Sequence, residues 1–231
     1  HHGFHAARIL VHSRFQKEIL DASGVDASRV RTLPHPVRPC TIEISPTSPK
    51  ETVRIVSSGF INPAFDYDLL FATLARLHLP WTFTWIGGLR REEDENVQRG
   101  LIERARGLGW ADRFTITGWV DNHERDRLLA NASFYCAFFK HRSSSGSLAA
   151  AMGAGCVILA TRGALTDELA AQTNALCVVP SSPDAAASAL LHLMSTPAQR
   201  RALVESVKTY AQDVSFDHMA QRLLLLYQEL C

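Results

Sequence analysis

Short apolar runs alternate with amphipathic stretches along almost the whole chain. Arg8 to Val11 is a short apolar run, and Phe15 to Ala22 has helical spacing that ends near Gly24. Val30 to Leu33 is extended in character and passes into PHPVRP, whose three prolines forbid helix and favour an extended connector. Thr41 to Lys50, rich in Ser, Thr and Pro, predicts a hinge. Beyond it, Val53 to Ser57 reads as a strand and Gly59 as the start of a loop. Asp66 is the expected N-cap of a helix with Leu70, Leu74 and Leu77 on its apolar face. Trp81 to Ile86 is the next strand, closed by Gly87 and Gly88. Glu92 to Leu108 is an amphipathic helix that carries Val97, Leu101 and Ile102 and ends at Gly109. Phe114 to Thr117 is a strand, Gly118 a turn and Glu124 to Ala130 a helix. Phe134 to Phe139 is apolar except for one tyrosine hydroxyl, the pattern of a strand buried on both faces. Strands at Val157 to Ala160 and Ala175 to Val179 follow, with a short helix at Asp167 to Ala171 between them. Helices at Ala185 to Met194, Pro197 to Ala211 and Met219 to Leu230 close the chain.

This order predicts an α/β fold, a Rossmann-like parallel sheet with helices on both faces. Ligands of such sheets sit beyond the carboxyl ends of the strands, where the loops at Gly59, Gly87, Gly118 and His141 all point. One of those loops carries chemistry of its own. Lys140 to Gly155 reads KHRSSSGSLAAAMGAG, a basic triplet and a serine run that open a small-residue helix. The first turn of a helix leaves backbone N–H groups unpaired and a partial positive charge, so Ser143, Ser144, Ser145, Gly146 and Ser147 are placed to wrap an anion. Lys140, His141 and Arg142 add positive charge beside them. Taken alone, the stretch reads more simply as a capped helix with a solvated lead-in; its place among the glycine loops favours a phosphate site.

Composition narrows the partners. Across 231 residues, 24 Lys and Arg against 23 Asp and Glu leave a formal charge of +1, which gives no general attraction for nucleic acid or anionic membrane. The five cysteines are scattered without metal-ligand spacing, and Cys136, Cys156 and Cys177 lie in apolar runs, as buried thiols of a reducing cytoplasm would. No apolar stretch is long enough to cross a bilayer. The first residue is His1 and the first methionine Met152, so more sequence is expected upstream; His1, His2 and His5 read as a tag remnant or chance start before a metal cluster.

The ordered series of motifs resembles the C-terminal half of the retaining GT-B glycosyltransferases, the glycosyl transferases group 1 family. ILVHSRFQKEIL with VRTLPHPV resembles the end of that family's N-terminal domain and its connector. IVSSGFINPAFDYDLLFATLARL resembles the first strand, glycine loop and helix of its nucleotide-binding domain. FTWIGG, FTITGWVDNHERDRLLANASFYCAFF and AAMGAGCVILATRG resemble the following strands and donor helix, and FDHMAQRLLLLYQEL the closing helix. The resemblance implies two parts, residues 1–38 as the last strand, helix and strand of an N-terminal domain and residues 39–231 as the nucleotide-sugar-binding domain. It implies a nucleotide-diphosphate sugar as donor substrate, with no cofactor or metal. The acceptor would be a glycan, lipid or small molecule, and a missing N-terminal domain or partner chain would supply most of its pocket. The place of action it implies is the cytoplasm or the periphery of the inner membrane. The base would lie near Gly118, Trp119 and Val120, and the diphosphate near Gly59, Phe60, Lys140, Arg142 and Ser143 to Ser147.

Some positions depart from the family pattern. An arginine right after the glycine and a lysine further on are replaced by Phe60 and Phe65, and a pair of glutamates by Arg142 and Ala150. The cationic role is expected to have moved to Lys140 and Arg142; the competing expectation is a decayed site in which both phenylalanines pack into the core, giving a catalytically silent binding or scaffold module. His35 reads as structural before ligand-binding, Trp85 as core, and Trp119 as the better stacking candidate. Asp167 and Glu168 open a helix, where carboxylates are common for dipole reasons alone, and no residue stands out as catalytic. A serine hydrolase lacks its GxSxG elbow here, and a nicotinamide site lacks two of its glycines.

Overall fold

The computed structural model describes residues 6–40 and 52–230. His1, His2, His5 and the Thr41 to Lys50 stretch lie outside them. The chain opens with β1 (Ile9–Val11), α1 (Arg14–Ala22) and β2 (Val30–Thr32), and the two strands pair in parallel. Ser13 starts α1 by accepting a hydrogen bond from the Gln16 N–H.

A separate sheet of six parallel strands follows: β3 (Val53–Ser58), β4 (Trp81–Ile86), β5 (Phe114–Ile116), β6 (Phe134–Ala137), β7 (Ile158–Thr161) and β8 (Leu176–Val179), in the order β5-β4-β3-β6-β7-β8. The crossovers carry α2 (Tyr67–Leu74), α3 (Glu95–Gly107), α4 (Asn122–Ala130), α5 (Gly146–Gly153) and α6 (Ala164–Thr173). α7 (Pro183–Ser195), α8 (Pro197–Asp213) and α9 (Phe216–Gln228) complete the chain. Two apolar layers cover the sheet. Leu70, Phe71, Leu74, Leu101 and Leu190 pack on one face, and Leu129, Leu148, Met152, Leu169 and Val207 on the other. Strands sealed from water on both sides need no polar face, hence the unbroken apolar run of β6.

Helix starts account for most differences from the sequence reading. α6 begins at Ala164, earlier than the acidic pair suggested, because Gly163 stands at its N-cap and offers no side chain to betray it. Glu92–Asp94 forms a short 3₁₀ turn ahead of α3. α9 starts at Phe216, where the Ser215 hydroxyl accepts from the His218 N–H.

The proline connector runs along the outside of α5. The Val37 N–H donates to Val214 and the Cys40 N–H to Gly153, at 2.9 and 2.7 Å. A Cβ on Gly153 would collide with the Arg38 carbonyl, so the glycine is what lets the connector lie this close. In the sheet itself, the winding reverses between β3 and β6, the first and fourth strands of the domain. Their carboxyl ends cannot be bridged by a crossover, and a crevice opens there.

Candidate functional site

The crevice is shaped first by glycine. β3 ends at Gly59, with φ +114°, and β4 at Gly87, with φ +130°, conformations that side chains resist. A Cβ on Gly87 would run into the Gly59 carbonyl, and one on Gly59 would lie 3.3 Å from the Ser147 hydroxyl. The two loops therefore nest, and the first turn of α5 sits directly against them. Ser145 caps α5, its hydroxyl accepting from the Leu148 N–H at 3.2 Å and lying 3.1 Å from the Ser147 hydroxyl. Beneath, the Tyr135 hydroxyl lies 3.2 Å from that of Ser58 and also bonds Ser147. Burial pushes this phenol up, although both serines pull it the other way. A polar chain thus joins the buried strands to the helix start.

Outside this floor lies a cleft of about 540 Å³, walled by Gly59, Phe60, Asn62 and Pro63 after β3, by Arg90, Arg91, Glu93 and Asp94 after β4, and by Arg142 and Ser144 to Ser147 after β6. Asn62 is tied to its own loop: its Oδ1 accepts from the Ala64 N–H at 2.9 Å and its amide donates to the Phe60 carbonyl at 2.8 Å. The same Oδ1 is 3.4 Å from the Arg142 guanidinium. The Nε of Arg142 is buried without a partner, a cost that an acceptor in the cleft would remove. Tyr67 accepts from the Asn62 N–H, and its phenol is pushed up to about 12, mainly by burial; Asp94 adds to the rise and Arg142 opposes it. Opposite charges thus reach the same phenol from two walls. The arrangement suits a ligand with anionic and hydroxyl-bearing parts, since guanidinium groups only donate and carboxylates only accept.

Of the residues singled out in the sequence, Gly59, Phe60, Arg142, Ser144, Ser145, Gly146 and Ser147 line this cleft. Ser143 faces away and accepts from the Gln16 side chain of α1 at 3.1 Å. Lys140 lines a neighbouring cavity of about 270 Å³ with His141, Arg142, Phe15 and the start of α6, so only Arg142 of the basic triplet reaches both spaces. Gly118 packs against Gly88 just beyond the cleft, Val120 turns toward the core, and Trp119 is 85% exposed with no place in the wall. Phe65 is only 3% exposed and meets Trp85 edge to face at 4.9 Å, whereas Phe60 is 46% exposed at the cleft. Packing into the core therefore describes Phe65 and Trp85 but not Phe60. His35 bonds the Pro36 carbonyl through Nδ1 at 2.9 Å and packs beside Gly146 on the connector side of α5. Glu168 accepts the Arg14 N–H through both oxygens at 3.0 Å, holding α1 to α6. Among the described residues no group of three His, Cys, Asp or Glu could hold a metal.

Asn62, Arg90, Arg91, Glu93 and Asp94 were missed. The arginine doublet had a signal, since it directly follows the Gly87–Gly88 loop already aimed at this edge. Asn62 had none.

A sequence model of the family described as Glycosyl transferases group 1 matches residues 52–196. No curated protein matches in sequence. Among solved structures, the chain is similar to Alr3699/HepE of Anabaena in complex with UDP and glucose, with a TM-score of 0.84 at 13% identity over 96% of this chain and 63% of that one. It is also similar to a sucrose-phosphate synthase of Thermosynechococcus elongatus, at 0.81 and 17% over 97% and 58%. A glycosyltransferase of Rickettsia africae gives 0.82 and 15% over 96% and 63%. The chain thus spans about three-fifths of the length of these structures, and at such identities they show its fold, that of the GT-B glycosyltransferases.

Proposed function

The chain belongs to the glycosyl transferases group 1 family, and from that premise we propose that residues 39–231 form the donor half of a retaining enzyme that moves a sugar from a nucleotide diphosphate to a glycan, lipid or small-molecule acceptor. Residues 1–38 are then the end of an N-terminal domain that, in the same chain or a partner, supplies the acceptor side. The protein works in the cytoplasm or at the inner membrane surface, and no helix among the described residues is long and apolar enough to cross a membrane.

One observation carries the reading. At the point where the strand order reverses, the uncrossed first turn of α5, Ser145, Ser147 and the under-partnered Arg142 converge on a single cleft. Helix N–H groups and a guanidinium fixed there meet the charge that grows on a departing diphosphate without reorganising, which lowers the barrier to sugar transfer. The complexes of Alr3699/HepE contain UDP, and one contains UDP-glucose, which makes uridine nucleotides the first to test. Calorimetric titration with UDP-glucose and GDP-mannose is expected to show binding by the wild type and a loss of about 10-fold or more in Arg142→Ala, the weight of one charge-assisted hydrogen bond. Unchanged affinity in the variant removes Arg142 from the site.

A silent module remains the second reading, favoured by the methyl group of Ala150 where the family pattern has a carboxylate and by the burial of Phe65 where it has a lysine. Transfer of radiolabelled sugar by the complete parent protein decides between them.

A further inference from the structure

The arginines around the cleft come from two walls. Arg142 follows β6, whereas Arg90 and Arg91 follow β4, on the segment that turns through Glu92–Asp94 into α3. The loop after β3 brings Gly59, Phe60, Asn62 and Pro63 but no cation. Two carboxylates, Glu93 and Asp94, complete the charged lining.

These charges are unspent. Among the described residues, Arg90, Arg91, Glu93 and Asp94 make no ion pair, while neighbours on α3 do: Arg99 pairs with Glu95 and Arg104 with Asp68. Arg90 instead lies over the Phe60 ring, its guanidinium carbon 5.7 Å from the centroid, a contact that holds the cation at the cleft wall while leaving all its N–H groups free. Opposite, the buried Nε of Arg142 lacks an acceptor. A diphosphate presents oxygens on two phosphorus atoms, and planar guanidinium forks match such oxygens in pairs. A carboxylate repels phosphate but receives hydroxyl donors, which the rings at either end of a nucleotide-diphosphate sugar carry.

We propose that Arg90 and Arg91, facing Arg142 across the cleft, grip the diphosphate of the donor, and that Glu93 and Asp94 accept hydroxyls from a ring attached to it. The phosphate grip thus enters from the segment between β4 and α3. This rests on the reading that the cleft holds a nucleotide sugar, and the test separates the two.

Calorimetry on the full chain first finds which of UDP, GDP, ADP and dTDP binds most tightly, then compares it with its monophosphate in wild type and in the Arg90→Ala/Arg91→Ala double variant. The diphosphate is expected to lose about 10- to 100-fold in the variant, and the monophosphate clearly less. Both side chains are exposed and lie outside helix and strand, so thermal melting by circular dichroism should be unchanged and binding remains readable. An unchanged diphosphate affinity in the double variant, or equal losses for diphosphate and monophosphate, overturns the inference while leaving the nucleotide reading in place. A wild-type chain that binds none of the four diphosphates overturns both.

Discussion

Phe60 and Phe65 stand five positions apart in one loop, yet their environments assign them opposite roles. Phe65 is enclosed by Tyr67, Trp85, Phe138 and Phe139, with ring centroids between 4.9 and 6.3 Å away. Removing such a ring leaves a cavity that close-packed neighbours fill only in part. Phe65→Ala is therefore expected to lower stability by about 3–5 kcal/mol, and Phe65→Lys to be at least as damaging because it buries a charge without a partner. Phe60→Ala, at an exposed rim, should stay within about 0.5 kcal/mol of wild type. Urea unfolding of the three variants measures all of this, and equal losses at the two positions would contradict the assignment. The consequence for function is direct. A lysine cannot simply be restored at Phe65, because the space where its ammonium would need to stand is now part of the core, so any cationic grip has to come from other loops.

At the scale of elements, the site depends on how closely the connector and α5 approach each other. Gly153→Ala keeps a helix-compatible residue, with better helix propensity than glycine, but places a methyl group against the Arg38 carbonyl. The connector has to move, which breaks the 2.7 Å bond from the Cys40 N–H to Gly153. Overpacking of this kind costs about 1–3 kcal/mol. Hydrogen exchange is expected to accelerate at the Cys40 and Val37 amides while the strand amides of β6 and β7 stay protected; uniform acceleration would mean the whole domain was destabilised instead. Much of this architecture was legible beforehand. Alternating apolar runs marked the eight strands of the described residues, and Asp66 announced its helix, because an N-cap acts within its own few residues. Gly163 and the 3₁₀ turn at Glu92–Asp94 were not legible, since a backbone cap leaves no side-chain signature. The site was legible only in part for a related reason. Ser144 to Ser147 and Gly59 sit at strand ends whose direction the fold class fixes, whereas the exclusion of Lys140 and Trp119 from the cleft depends on which way individual side chains turn. Pattern and spacing do not carry that information.

At the scale of the whole molecule, the ionisable groups that folding perturbs most among the described residues are acids held in their neutral form. Burial raises Tyr67 and Tyr210 to about 12, Cys156 to about 12, and Tyr135, Cys136 and Cys177 in the same direction. Each is neutral when protonated, so a folded value above the unfolded one means stability that is complete below the unfolded value and lost as pH climbs toward the folded one. Unfolded thiols titrate near 8.5 and phenols near 10. The decline therefore begins above about pH 8.5 and steepens above about 10. On the acid side the perturbations run the other way but are shallow. Glu124 is lowered by its hydrogen bond to Arg127, and Asp26 by its bonds to Ser28, and both lie at the surface; the stability they contribute is present above the normal carboxylate range and lost as pH falls, but solvent screens most of it. The expected profile is a plateau from about pH 5 to 8 with a sharper fall on the alkaline side. Urea midpoints at intervals from pH 5 to 11 test it, with tyrosinate absorbance followed on the folded protein in parallel. A midpoint that stayed constant from pH 8 to 11, or buried tyrosines that ionised near pH 10 without unfolding, would mean that water reaches the layer beneath the cleft, and the polar floor linking Tyr135 to Ser147 would then be a wet channel instead of a sealed support for the helix start.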